Sequence, residues 1–219
     1  MKIGGGPLQR RKGLFFVFEG ADGAGTTTQC RLLAEALAAR GHKIITTREP
    51  GGTSIGERIR NLVLDNRHRE MSENTELLLY AAARAQHVAQ TIRPALMAGD
   101  LVICDRFTAS TVAYQVFARG IDRGITETLN QFVVGECVPD HTFYLNVSLA
   151  ESCRRRVERN QPVDRMKEEG SVFHGKVISG FEKIATNDSR PKSILDASED
   201  KEQLAARVLS DVRKRWAHL

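Results

Sequence analysis

Hydrophobic residues in this chain fall into short unbroken runs, separated by longer segments whose apolar positions recur at helical spacing. Phe15-Phe16-Val17-Phe18 and Leu101-Val102-Ile103-Cys104 are too short for helices and lack the alternation of a half-exposed strand. Runs of this kind read as strands buried on both faces. Lys43 to Thr47, His141 to Val147 and Ser193 to Leu195 supply three more short strands. Between them Leu32, Leu33, Ala36 and Leu37 predict a helix that Gly41 ends. A second helix is expected over 54–64, where Ser54 and Glu57 have capping-box spacing. A long apolar one follows over 76–98, with Ser72 or Asn74 as its cap and Pro94 near its end. Others are expected over 109–117, 126–134, 149–159, 172–186 and 201–216, with an irregular charged stretch from Asn160 to Gly170. Strands alternating with helices predict an α/β fold, a mostly parallel sheet covered on both faces. No repeat or linker divides it, so 14–219 read as one domain and 1–13 as a flexible tail.

Composition narrows the chemistry only modestly. At 219 residues the chain suits one compact domain with a substantial core. No apolar run approaches the roughly 20 residues that span a bilayer, and the basic, glycine-rich N-terminus lacks the apolar centre of a signal peptide. Cys30, Cys104, Cys137 and Cys153 form no C-x-x-C pair and read as reduced, mostly buried thiols of a cytoplasmic protein. The six histidines are scattered and outline no metal site. The formal charge of +5 comes without a basic patch interleaved with aromatics, which argues for small phosphorylated ligands over nucleic acid.

The candidate chemistry begins where the first hydrophobic run ends. Gly20-Ala21-Asp22-Gly23-Ala24-Gly25-Thr26-Thr27-Thr28 joins that strand to a helix, the layout of a phosphate-binding P-loop. The glycines let backbone N–H groups approach a phosphate, and the helix dipole favours the anion. Thr27 supplies the hydroxyl expected to touch magnesium. The pattern G-x-x-x-x-G-K-[ST] departs at one place: Thr26 stands where lysine is expected. Two further polar motifs, Arg48-Glu49-Pro50-Gly51 and Asp105-Arg106, also follow strands directly. Ligands in such sheets bind at the carboxyl ends of the strands, so all three motifs should meet at one edge.

With these residues in view the chain resembles the thymidylate kinases from Leu14 to Leu219. The likeness is carried by Phe18-Glu19-Gly20-x-Asp22-Gly23-x-Gly25, Arg48-Glu49-Pro50-Gly51-Gly52-Thr53, Tyr80 with Arg84, Asp105-Arg106-Phe107-x-x-Ser110 and Ala113-Tyr114-Gln115. The resemblance implies a P-loop kinase with a five-stranded parallel sheet, a mobile lid near 154–170 and a homodimer. It implies transfer of the γ-phosphoryl of ATP to dTMP, giving dTDP for dTTP synthesis, with Mg2+ as cofactor. Gly20 to Thr28 would hold ATP, and Thr27 with Asp105 the metal. Arg48 and Arg106 would clamp the acceptor phosphate, since guanidinium forks match phosphate oxygens. By the same resemblance Asp22 contacts the sugar 3′-hydroxyl and helps position Arg48. Tyr80 stacks on thymine, Arg84 bonds a base carbonyl, Ser110 and Thr111 lie near the base, and Tyr114 crowds out a 2′-hydroxyl.

The family divides by where its catalytic arginines sit, and a P-loop without a basic residue points to the lid. Arg155 and Arg159, one turn apart, are the candidates there, with Arg165 a third. Blander roles stand beside these. Arg48 and Arg106 suit a strand end and an ion pair, Asp22 an Asx turn, Asp105 a helix cap, and the arginine-rich run an exposed helix face. A protein that binds nucleotide with little or no turnover, because the loop lysine is absent, is the alternative function. A kinase for a purine or ribose monophosphate is disfavoured by Tyr80, Arg84 and Tyr114.

Overall fold

A computed structural model describes residues 13–158 and 164–219. Residues 1–12 of the predicted tail therefore lie outside the described residues, as does Arg159, whereas Gly13 is buried and its N–H donates to the Leu96 carbonyl at 2.9 Å. Five strands, β1 (Phe15–Gly20), β2 (Ile44–Arg48), β3 (Leu101–Asp105), β4 (His141–Asn146) and β5 (Lys192–Asp196), form one sheet in the order β2-β3-β1-β4-β5. Every neighbouring pair is parallel. The run Phe15 to Phe18 shows why such a strand is apolar throughout. Alternate residues point to opposite faces. Phe16 and Phe18 join a core with Leu33, Leu37, Val177 and Val208, while Phe15 and Val17 join a second with Val88, Ile92 and Leu96. Both faces are covered, so no position on β1 has reason to be polar until the strand reaches Glu19.

The helices are α1 (Thr26–Ala38), α2 (Ser54–Leu64), α3 (Glu73–His87), α4 (Arg93–Ala98), α5 (Thr108–Thr111), α6 (Arg123–Val134), α7 (Leu149–Glu158), α8 (Ser171–Asn187) and α9 (Lys201–Arg215). The expected helix over 76–98 starts earlier, at Glu73 behind the cap Ser72, and is interrupted by a π turn at Val88–Ile92. Pro94 accounts for the interruption: it lacks an N–H and its ring crowds the carbonyl four residues back, so the preceding turn widens. A second π turn, Val112–Ala118, carries most of the segment expected as a helix over 109–117. The capping box also shifts. Thr53, not Ser54, caps α2, its hydroxyl accepting from the Gly56 N–H at 2.9 Å. No helix among the described residues is long and apolar enough to cross a membrane.

Candidate active site

Register brings the three polar motifs to one edge. Phe18 and Arg48 both pair with Asp105 in the ladder, so the ends of β1, β2 and β3 lie side by side. The glycine loop turns from β1 into α1 with Gly23 at φ +85° and Gly25 at φ +91°. A Cβ on Gly23 would sit 3.0 Å from the Ser152 carbonyl, so the loop packs closely under α7. Ser152 fixes it there, its hydroxyl donating to the Asp22 carbonyl at 2.7 Å.

Beneath the loop Thr27 Oγ1 donates to Asp105 Oδ2. The other carboxylate oxygen of Asp105 is buried and takes no hydrogen bond among the described residues. An unpaired carboxylate oxygen beside an exposed hydroxyl suits a hard divalent cation such as magnesium. No cluster of three or more His, Cys, Asp or Glu among the described residues suits a metal. An ion at Thr27 and Asp105 would therefore complete its shell with phosphate oxygens and water, the usual habit of magnesium.

Arg106 is the most constrained residue of the site. It adopts φ +71°, the left-handed region that non-glycine residues avoid. Its backbone is bracketed. The Arg106 N–H donates to the Phe18 carbonyl at 2.8 Å, and the buried carboxylate of Glu19 holds the residues that follow. Glu19 accepts from the N–H groups of Phe107, Ala109 and Ser110 at 2.8, 3.0 and 3.3 Å and from the Ser110 hydroxyl at 2.5 Å. Burial raises the Glu19 pKa, and these donors with Arg106 oppose that rise. The Arg106 guanidinium then donates to the Gly20 carbonyl and to Asp22 Oδ1, both at 2.7 Å, and lies over the Tyr114 ring. Burial works against its charge, yet Tyr114, Asp22, Asp105 and Glu19 together raise its pKa above that of an ordinary arginine.

Asp22 thus pairs with Arg106 and not, as the sequence suggested, with Arg48. Arg48 is held instead by Glu57 Oε2 at 2.9 Å and by the Pro50 carbonyl at 2.9 Å. Arg60 of α2 also donates to that carbonyl, at 2.9 Å, and lines the same cleft, a cation that the sequence reading did not single out. Burial, then the Arg48 charge, lowers its pKa. Tyr80, Arg84, Ser110, Thr111 and Tyr114 all line this cleft with Asp22, Arg48 and Arg106. Arg84 is less available than expected. Its five donors meet Glu49 at 2.7 Å, Thr111 at 2.9 Å, Asn130 at 2.5 Å and the Phe107 carbonyl at 2.8 Å, so one N–H remains. Tyr114 is buried against Phe173 and Phe181.

A second cleft opens on the other side of the glycine loop, lined by Ala24, Gly25, Thr28, Arg155, Ala197 and Lys201 among others. Arg155 spans it: Nη1 donates to the Gly23 carbonyl at 3.3 Å, Nη2 to the Ala197 carbonyl at 2.7 Å and Nε to Glu151 at 2.5 Å. Arg165, the third lid candidate, is directed elsewhere. It is buried, donates from Nε to the Val63 carbonyl at 2.9 Å and pairs with Glu76.

A nucleotide-sized cleft on each side of a glycine loop, with a strand-end acid beneath it, defines a P-loop kinase, a protein that brings two phosphorylated substrates together across that loop. The sequence profile of the thymidylate kinase family matches residues 18–208. The thymidylate kinase of Pelotomaculum thermopropionicum is 44% identical over 85% of this chain and 87% of its own length. That of Exiguobacterium sibiricum is 42% identical over 91% and 94%, and that of Bacillus velezensis 41% over 93% and 98%. The chain belongs to the thymidylate kinase family.

Proposed function

We propose that this chain transfers the γ-phosphoryl of ATP to dTMP, with Mg2+, and that Arg48, Arg60 and Arg106 gather the acceptor phosphate. The observation that carries the reading is the convergence of Asp22, Arg48, Arg60, Tyr80 and Arg106 on one cleft beside the glycine loop and the Thr27–Asp105 pair. Phosphoryl transfer asks mainly for positioning and for neutralising charge. The guanidinium of Arg106, fixed by Asp22 and Gly20, and those of Arg48 and Arg60 in the same cleft do both for the acceptor. No general base is needed, because the acceptor phosphate is already an anionic nucleophile. Tyr80 offers the base a stacking face and Asp22 a carboxylate for the sugar hydroxyl. Gly20 to Thr28 would receive the donor phosphates, Thr27 and Asp105 would hold the metal, and the metal when bound neutralises the phosphoryl oxygens. Arg155 brings a guanidinium to the loop whose lysine position holds Thr26.

Assembly as a two-fold homodimer completes the reading. It is supported by apolar side chains exposed on three helices that pack side by side: Ile55 and Leu62 on α2, Leu78 on α3, and Ile125 and Phe132 on α6. A coupled assay with ATP, magnesium and dTMP tests the activity. Turnover is expected; its absence, with nucleotide binding still seen by calorimetry, would favour a binding protein that has lost catalysis.

A further inference from the structure

A third cleft, of about 440 Å³, is bounded by α5, α6 and the end of α8. Pockets of that size hold small molecules. Phe107, Val112, Val134 and Ile184 give it apolar lining, and Asn130, Arg123 and Arg190 are among its polar groups. On α6 the lining residues Arg123, Glu127, Asn130 and Val134 recur at spacings of three and four, so they share one face. Ile125 and Phe132 fall on the opposite face of the same helix, so an interface built on those two leaves the cleft open.

Asn130 says most about the occupant. It is 8% exposed, and its Oδ1 accepts from Arg84 Nη1 at 2.5 Å. A guanidinium only donates, so the amide must turn its oxygen to Arg84 and its NH2 away. No group among the described residues accepts from that NH2, which leaves a largely buried donor at the cleft wall. Arg123 meets Glu127 only through Nε, at 2.7 Å, and neither of its Nη atoms finds an acceptor among the described residues. Arg190 is held by Asp188 through Nε and Nη2 at 2.8 and 2.9 Å. Two arginines against two carboxylates leave the lining without net charge, which suits a single negative charge and not a polyphosphate. Arg123 and Asn130 stand seven residues apart on one helix face, a rise of about 10 Å. An aromatic ring with a carboxylate at one end and a carbonyl at the other bridges such a gap over apolar lining. The cleft also touches the acceptor site. Phe107 lines both, and Arg84 lies over its ring at 5.1 Å and donates to its carbonyl at 2.8 Å.

We propose that this cleft is a second small-molecule site, for an aromatic monocarboxylate with a carbonyl at its far end, and that Asn130 and Phe107 couple it to the acceptor cleft. Only the coupling rests on the kinase reading above, so the two can fail separately. Calorimetry on the full chain uses 4-acetylbenzoate as the probe and should show saturable binding. Its analogue 4-ethylbenzoate, which offers Asn130 no acceptor, should bind about tenfold more weakly, the usual worth of one hydrogen bond. Gln131 is exposed and lines the cleft, so Gln131→Trp should fill the space and abolish probe binding while dTMP still binds. Arg123→Gln, at an exposed position, should weaken the probe about tenfold and keeps the test decisive if Gln131→Trp does not fold. Saturating probe should change the dTMP dissociation constant at least about fivefold, and dTMP should change that of the probe by the same factor. No saturable binding, or binding indifferent to both substitutions, would overturn the site. Equal affinity for the two benzoates would overturn the role of Asn130, and a dTMP affinity unmoved by the probe would overturn the coupling. Probe binding with the expected losses but no binding of dTMP would leave the site standing and sink the kinase reading.

Discussion

Thr26 puts a hydroxyl where the loop pattern places an amine, and Arg155 is the guanidinium that reaches the same loop. Thr26 is 5% exposed, so a lysine there would have to run along the loop into the phosphate site. If Arg155 already supplies that charge, Thr26→Lys should change kcat little or lower it, while Arg155→Ala should cost on the order of 10²–10³-fold, the scale for removing a preorganised donor to the transition state. A steep gain from Thr26→Lys in the coupled assay would mean that the loop is impaired and uncompensated. Single residues were legible where the backbone pattern around them was distinctive. Asp22, Arg48, Asp105 and Arg106 follow strands or sit among glycines, and all lie at the site. Arg60 was not legible, since one arginine on an amphipathic helix looks like another; Arg58, two residues away, is exposed. The available signal was spacing. Glu57, Arg60 and Leu64 recur at three and four along the helix that follows the Arg48 turn, and that face returns to the cleft. Arg165 fails the opposite way: an arginine-rich run gives no sign of which members are buried in ion pairs, and this one anchors to Glu76.

Among elements, sequence periodicity located nearly every strand and helix but missed what happens where two rules compete. Ser54 with Glu57 satisfies the capping-box spacing, yet Glu57 is drawn back to Arg48 and to the Gly52 N–H at 2.9 Å, and Thr53 becomes the cap. Nothing local distinguishes adjacent hydroxyl residues; the long-range pull of Arg48 decides. Thr53→Ala should therefore destabilise the fold by about 1 kcal/mol, the usual cost of losing an N-cap, and Ser54→Ala by much less. Urea unfolding of the two variants checks the order, and a larger loss from Ser54→Ala would restore the capping box. The π turns at Val88–Ile92 and Val112–Ala118 were likewise invisible to a search for 3.6-residue spacing, because a single widened turn leaves the apolar pattern on either side intact. They matter for the site, since the second carries Tyr114 and Gln115 into the cleft.

For the whole molecule, α/β architecture follows from strands apolar along their length, which require cover on both faces. Strand order was not in the pattern, because any of several right-handed windings would bury the same residues. Global stability should carry a mark of the β4 core. His141 is fully buried, and burial, with Arg215 opposing its charge, pushes its pKa down to about 4 although Asp211 acts the other way. The unfolded chain, with an ordinary histidine near 6.5, binds the proton first as pH falls. Stability contributed by keeping this ring neutral is therefore present above about pH 6.5 and is lost between there and about 4. Urea midpoints for the protein and His141→Phe across that window should converge on acidification, and parallel curves would assign the acid loss elsewhere. The last expectation concerns assembly. Phe132 is 84% exposed and Ile125 64%, seven residues apart on one face of α6, and Leu78 on the neighbouring α3 is 59% exposed. Ile55 and Leu62 repeat the seven-residue spacing on α2 at 52% and 42%. Two helical turns separate each pair, so these side chains form stripes along adjacent helices, not scattered exposures. A self-complementary patch of this kind is what a two-fold interface uses. Light scattering at micromolar concentration should report a dimer mass, and Phe132→Asp with Leu78→Glu should give a folded monomer by circular dichroism and scattering together. A monomer mass for the unaltered chain would refute the homodimer and leave the stripes as the surface of another contact.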